Sequence, residues 1–287
     1  MSLKYKLKGV MMHNKDGSFE TQKARGQTLL LSAQQLKEGG YRRLEEPRQL
    51  KQKHMTYLVQ RWQNEGLATS TIKNRLAHLR WLAQKIEKPT IVLPNEQLGV
   101  GQREYVTQKN KAVQLEGREQ RIADERIRDA LRLQEAFGLR REEALKFSPE
   151  IAARSGTEIN LKASWCKGGR ARTIPIRNDD QRALLAEIKV KYPTGSLIHK
   201  HMNYKEMRDR YDNAVQSVGL GKCHGLRHAY AQERYRELTG REPSVCGGVM
   251  RKELSGGERE IDDNARKVIS NELGHDRPEI TAQYVGR

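Results

Sequence analysis

Residues 157–176 are the one stretch of this 287-residue chain whose side chains alternate as a pair of strands would. Ile159 and Leu161 alternate with polar neighbours, so 157–165 and 172–176 read as two strands, with Lys167-Gly168-Gly169-Arg170 as the turn. Elsewhere apolar residues recur at three- and four-residue spacing, the period of helices that bury one face. A single hairpin in a helical background predicts a mainly α fold with one small antiparallel β-sheet, an α+β arrangement.

The helical part divides in two. Residues 1–26 are basic and polar, carry Gly9, Gly17 and Gly26, and read as a loosely ordered N-terminal arm. A short helix is expected over 28–38, ended by Gly39-Gly40, and a second over 47–65, where Leu50, Met55, Leu58, Val59 and Trp62 share a face. Thr69 or Ser70 can cap a third, whose stripe is Ile72, Leu76, Leu79, Ala83 and Ile86. Lys73, Arg75, Arg80 and Lys85 lie mostly off that stripe, as a solvated cationic face or as a helix laid along a DNA groove. These helices define a first domain over 27–100. Residues 89–118 hold Pro89, Pro94, Gly99, Gly101 and Gly117 with little periodicity, and the linker proper is set at 101–118.

The second domain is expected over 119–287. Ile122, Ile127, Leu131, Gln134 and Phe137 keep helical spacing up to Gly138, after which a new helix carries Arg140 and Glu143 and stops at Pro149. Beyond the hairpin, helices are expected over 178–191, 203–218 and from His224 to about Leu238. Residues 239–264, with Gly240, Gly247, Gly248, Gly256 and Gly257, read as an inserted loop or hairpin, and the last long helix is expected to begin near Asp262, capped by Asp262 or Asp263.

Lys and Arg number 54 against 36 Asp and Glu, a net charge of +18, which points to a polyanionic partner, most often nucleic acid. Residues 1–110 hold 20 Lys/Arg and 9 Asp/Glu (+11), against 34 and 27 (+7) in the remainder, so the N-terminal part is the more suited to gripping phosphate. Cys166, Cys223 and Cys246 form no Cys-x-x-Cys pair, which argues against a disulfide framework and a structural zinc and suits a cytoplasmic protein. No secretion signal opens the chain, and no apolar run approaches a membrane span.

Several short motifs carry chemistry. Gly138 permits a close backbone approach, and Arg140 can then turn its fork on a phosphate; alone, it is more commonly a surface arginine of a helix. Glu143, three residues on, shares its face. In His224-Gly225-Leu226-Arg227-His228, spacing puts His224 and Arg227 on one face, both able to meet one phosphate, whereas His228 is better read as hydrogen-bonded internally. Lys167 is a turn lysine that flexible glycines could carry towards a DNA groove, with Arg170 and Arg172 as competitors. His275 follows Gly274, and residues 278–281 begin a short helix able to present Tyr284. A phenol is a weak nucleophile at neutral pH, and two arginines and a histidine on a phosphate would lower its barrier with no metal required.

The order Gly138-Leu139-Arg140-x-x-Glu143, hairpin Lys167, His224-x-Leu226-Arg227-His228, Leu273-Gly274-His275 and Tyr284 resembles the tyrosine recombinases, the phage integrase family. The match is strong over 119–287, while the helices of 28–88 resemble that family's core-binding domain through weaker motifs. The resemblance implies a two-domain clamp around duplex DNA, acting as a homotetramer on two attachment sites without a cofactor and with possible accessory DNA-bending or directionality proteins. It implies that Tyr284 attacks the scissile phosphate to leave a 3′-phosphotyrosine, and that Arg140 and Arg227 hold the non-bridging oxygens. Lys167 would protonate the departing 5′-oxygen, His224 would assist proton transfer from the tyrosine, His275 would hydrogen-bond the phosphate and Glu143 would support them. The implied function is integration or excision of a mobile element. The alternatives are a topoisomerase of type IB and a non-catalytic DNA-binding relative; the intact residue set argues against the latter.

Two departures stand out. Only Val285, Gly286 and Arg287 follow the tyrosine, which puts exchange of a C-terminal tail between protomers in doubt. The Gly-rich segment 239–264 lengthens the interval between Arg227 and His275 and is expected to contact a neighbouring protomer or DNA.

Overall fold

The computed structural model of the chain describes residues 2–275 and 277–287. It separates into two compact units, residues 1–104 and 105–287.

The first unit is helical: α1 (Leu3–His13), α2 (Phe19–Glu38), α3 (Gln52–Asn64) and α4 (Thr69–Lys85). The loose arm expected over 1–26 is corrected: it is α1 and the start of α2, and Leu3 and Leu7 join the core with Leu29, Leu36, Leu58 and Leu76. Of the three glycines that suggested looseness, Gly9 and Gly26 lie inside helices, and only Gly17 makes a turn, at φ +88°. Ser18 then caps α2 by accepting from Thr21 N–H at 3.3 Å. Pro47–Gln49 is a separate 3-10 turn ahead of α3, not its first turn. Ala68, with no side-chain acceptor, occupies the position before α4 in place of Thr69 or Ser70. The five stripe residues of α4 are all buried, and the Trp62 indole N–H is satisfied by Gln35 Oε1 at 2.8 Å, as a buried donor requires.

The second unit contains α5 (Glu125–Phe137), α6 (Arg141–Leu145), α7 (Pro149–Ala152), β1 (Glu158–Leu161), β2 (Arg172–Pro175), α8 (Asp179–Lys191), α9 (Tyr204–Ser217), α10 (His224–Thr239), α11 (Gly256–Glu272) and α12 (Ala282–Val285). The two strands pair antiparallel, Ile159 opposite Ile174 and Leu161 opposite Arg172. Part of the expected linker belongs here: Val113 N–H bonds Gly225 C=O at 3.1 Å, Leu115 N–H bonds Glu135 at 2.7 Å, and Leu115 is buried. The chain passes so close over α10 that a Cβ on Gly225 would lie 2.8 Å from Lys111 O.

The last long helix begins at Gly256, six residues before the expected start. Asp262 does not cap it. The carboxylate is buried mid-helix, accepting from Tyr235 Oη at 2.6 Å and Arg266 Nε at 2.7 Å. Ser244–Cys246 and Arg251–Glu253 are 3-10 turns, so 239–264 is mostly ordered turn and helix. The three cysteines are free thiols, and no helix among the described residues is long and apolar enough to cross a membrane.

Candidate active site

Gly138 ends α5 in the left-handed region at φ +61°, where a Cβ would lie 2.6 Å from the Tyr230 ring. That sharp turn buries Leu139 and sets Arg140 just before α6. Glu143, one turn on and 0% exposed, accepts from Arg140 N–H at 2.7 Å and from Arg140 Nη1 at 2.8 Å. From β2, Arg172 gives the same carboxylate a two-pronged contact at 2.8 and 2.7 Å, and its Nε donates to Glu272 C=O at 2.8 Å. Burial alone would raise the Glu143 pKa, but the hydrogen bonds and charge of Arg172, with Arg140 behind them, hold it at about 2.

Arg227 lies on the first turn of α10 and is almost wholly buried, at 1% exposure. Its Nη1 donates to Gly138 C=O at 2.5 Å and its Nη2 to Leu273 C=O. Those carbonyls belong to the C-terminal ends of α5 and α11, which lack intrahelical donors and carry partial negative charge. One guanidinium therefore ties two helix ends together. Burial brings its pKa down to about 10, still cationic at neutral pH.

At the end of α11, Gly274 turns at φ +65°, and a Cβ there would lie 2.9 Å from Arg172 Cδ. His275 follows, its N–H on Ser270 C=O at 2.9 Å. A 3-10 turn, Pro278–Thr281, then leads into α12 and brings Tyr284 back onto the site at 4% exposure. The Tyr284 hydroxyl lies 3.2 Å from His275 Nε2 and 3.5 Å from Arg227 Nε. Burial, then the charges of Arg227 and Arg140, pushes the His275 pKa down to about 3, so its imidazole is neutral at pH 7.

His224 is exposed at the first position of α10, its ring centre 6.0 Å from that of Tyr284. Burial of its surroundings and the nearby Arg227 and Arg140 lower its pKa. His228 departs from the sequence reading: its Nδ1 is buried without a hydrogen-bond partner, and its ring packs against Tyr284 at 4.5 Å between centres. Lys167 faces solvent at the apex of the β1–β2 connection, in a turn closed by Gly169 N–H on Cys166 C=O at 3.0 Å. Gly168 takes φ +80° there, as the third position of such a turn demands. The hairpin thus displays Lys167, while Arg140, His224, Arg227, His275 and Tyr284 converge.

Arg172 is no rival to Lys167, because its donors are spent on Glu143 and Glu272; Arg170 is exposed at the turn. Arg80 likewise serves the fold, donating to Leu93 C=O and Asn95 Oδ1, both at 2.9 Å. Arg75 stacks over Trp62 at 5.0 Å, and Lys73 is half-buried on the same helix. Glu272 was missed from the sequence. Its carboxylate accepts from Tyr230 Oη at 2.8 Å and Arg234 Nε at 3.0 Å while its carbonyl holds Arg172. Its place directly before Leu273-Gly274-His275 was the available signal. Among the described residues, no group of three or more His, Cys, Asp or Glu could hold a metal ion.

Residues 100–233 match the family model described as Integrase, and residues 1–92 match the model described as Phage integrase, N-terminal. No curated protein matches the chain. Among solved structures, the chain is similar to the Tn1549 transposon integrase in complex with circular intermediate DNA, at 13% identity and TM-score 0.60, covering 100% of this chain and 96% of that one. It is also similar to the XerH site-specific recombinase bound to palindromic difH substrate in a post-cleavage complex, at 15% identity and TM-score 0.61, covering 98% and 80%. At these identities the likeness is one of fold. The chain belongs to the tyrosine recombinase, or phage integrase, family, whose members are site-specific recombinases.

Proposed function

We propose that this protein cuts and rejoins duplex DNA at specific attachment sites through a 3′-phosphotyrosine, integrating or excising a mobile element. The observation that carries the reading is the position of the Tyr284 hydroxyl, 3.2 Å from a neutral His275 Nε2 and 3.5 Å from the Arg227 guanidinium. Tyr284 Oη attacks the scissile phosphorus and gives up its proton, while the bond to the 5′-oxygen breaks and that oxygen takes a proton from Lys167. His224, at the mouth of the site, assists in taking up the phenolic proton, and the neutral His275 hydrogen-bonds the phosphate. Arg140 and Arg227 stabilise the extra charge of the pentavalent transition state, a task for which preorganised cations are worth about 10²–10³ in rate each. The phosphotyrosine conserves the energy of the broken bond, so a free 5′-hydroxyl can attack it and rejoin the strand. The partners are double-stranded DNA sites, three further copies of the chain, and accessory DNA-bending or directionality proteins, in the cytoplasm.

The test is a nicked duplex carrying candidate attachment DNA, in which the short cleaved piece bearing the free 5′-hydroxyl diffuses away and leaves protein on the 3′ end of the strand. Wild type is expected to form a covalent complex that survives denaturation, and Tyr284→Phe none. A wild type that never traps DNA, or a Tyr284→Phe protein that traps it equally, overturns the mechanism.

A further inference from the structure

The nucleophile-bearing helix α12 has four residues, too few to hold its shape alone. From Tyr284 to Arg287 the main-chain oxygens are captured one after another by side chains of the same unit. Gln232 Nε2 donates to Tyr284 C=O at 3.2 Å, Ser244 Oγ lies 3.3 Å from Val285 C=O and 2.8 Å from the main-chain oxygen of Arg287, and Arg266 Nη1 donates to Gly286 C=O at 2.8 Å. Arg266 is itself buried and held by Asp262 at 2.7 Å. Gln232 is braced by Asn110 Oδ1 at 2.9 Å. Gly286 takes φ +84°, and a Cβ on it would lie 2.2 Å from Ser244 Oγ and 2.8 Å from Val245 N, so the close fit requires a glycine.

Ser244 lies in the Gly-rich segment 239–264, expected from sequence to reach a neighbouring protomer or DNA. Part of that segment packs on the tail of its own chain. We propose that Gln232, Ser244 and Arg266 are positioning residues that clasp residues 284–287 onto the site. The inference rests on Tyr284 being the nucleophile. The clasp acts through the backbone of α12 and touches neither the phosphate ligands nor the phenol. Its loss therefore alters how often the phenol is in line with phosphorus, and leaves DNA binding alone.

The experiment uses the full-length chain and the nicked attachment duplex on which wild type traps DNA. Ser244→Ala, Arg266→Gln and Gly286→Ala are expected to slow single-turnover covalent trapping by about tenfold or more. DNA affinity and melting temperature should stay at wild-type values for Ser244→Ala, and Ser244→Thr should recover part of the rate. Wild-type trapping rates in both Ser244→Ala and Gly286→Ala overturn the clasp while leaving the nucleophile assignment intact. Failure of wild type to trap DNA overturns the nucleophile assignment itself.

Discussion

Arg172 and Glu143 form a buried two-pronged ion pair, 2.8 and 2.7 Å, that couples the hairpin to the helix behind Arg140. The same carboxylate holds Arg140, so Glu143 sets the spacing between a phosphate-binding candidate and the strand leading away from Lys167. Removing one member of such a pair leaves the other charge buried and alone, at a cost of about 3–5 kcal/mol. Glu143→Ala is therefore expected to lower unfolding stability by that amount, read from the midpoint of denaturant unfolding. A loss under about 1 kcal/mol would mean the pair is solvated and the coupling absent.

The same pair has a pH signature. The Glu143 carboxyl is held at about 2 in the folded protein against an ordinary 4.5. Its pKa is depressed by folding, so its contribution is complete above about pH 4.5 and is lost as the pH falls towards 2. The difference is worth about 3 kcal/mol. The histidines act in a separate, higher window. Burial holds His275 at about 3 and His228 at about 4, both below the ordinary 6.5. The unfolded chain takes up their protons first, so stability falls as the pH drops below about 6.5. Unfolding midpoints at pH 7.5 and 5.5 should differ, and His275→Gln should shrink the difference. A midpoint unchanged over that interval, or a slope that His275→Gln leaves whole, would show that the rings are not held neutral.

Gly138 carries two constraints at once, a left-handed backbone and a Tyr230 ring 2.6 Å from where a Cβ would stand. It also supplies the carbonyl that receives Arg227. Gly138→Ala should cost about 1–3 kcal/mol in backbone strain alone and move the pair Arg140 and Arg227 apart. Loss of strand cleavage greater than loss of DNA binding is the expected pattern. Equal losses in both would point to general unfolding.

Legibility in the sequence followed distance along the chain. Gly138-Leu139-Arg140 and Leu273-Gly274-His275 announced themselves because each bundles a backbone break with a candidate side chain, and His224 to His228 because its candidates are neighbours in sequence. The stripe of α4 was legible because its period is local. The partners of Arg172 lie 29 and 100 residues away, at Glu143 and Glu272, so its role could not be told from that of Arg170. Glycine misled in both directions: Gly9 and Gly26 were absorbed into helices by flanking buried leucines, and Gly256-Gly257 opened α11 where a loop was expected. The clasp on α12 was invisible, because main-chain acceptors carry no sequence signature and their donors come from α10, α11 and the turn between them.

The first unit offers a contrast between two cations on one helix. Arg80 spends its guanidinium on Leu93 C=O and Asn95, whereas Lys73 has no such anchor. Lys73→Ala should weaken DNA binding on all sequences and reduce the salt slope by about 1. Arg80→Ala should instead cost stability, about 1–3 kcal/mol for the acceptors it leaves. Affinity measured across a salt series, with melting curves on the same proteins, separates the two. An altered salt slope in Arg80→Ala with unchanged melting would reverse the assignment.

The role of Lys167 can be isolated chemically. It stands exposed at a glycine turn of the hairpin, which fits a group that meets its partner only when DNA is bound. The proposed role is that of general acid towards the departing 5′-oxygen, for which Lys167→Ala should slow cleavage by about 10²–10⁴-fold. Replacing that bridging oxygen by sulfur changes the demand, because a thiolate leaves without a proton. On the sulfur-substituted duplex the Lys167→Ala protein should cleave at close to the wild-type rate, while Arg140→Ala remains slow on both substrates. A Lys167→Ala defect that persists on the sulfur substrate would make Lys167 a phosphate or groove contact, and would move the search for the acid to Arg170 and to His224 at the mouth of the site.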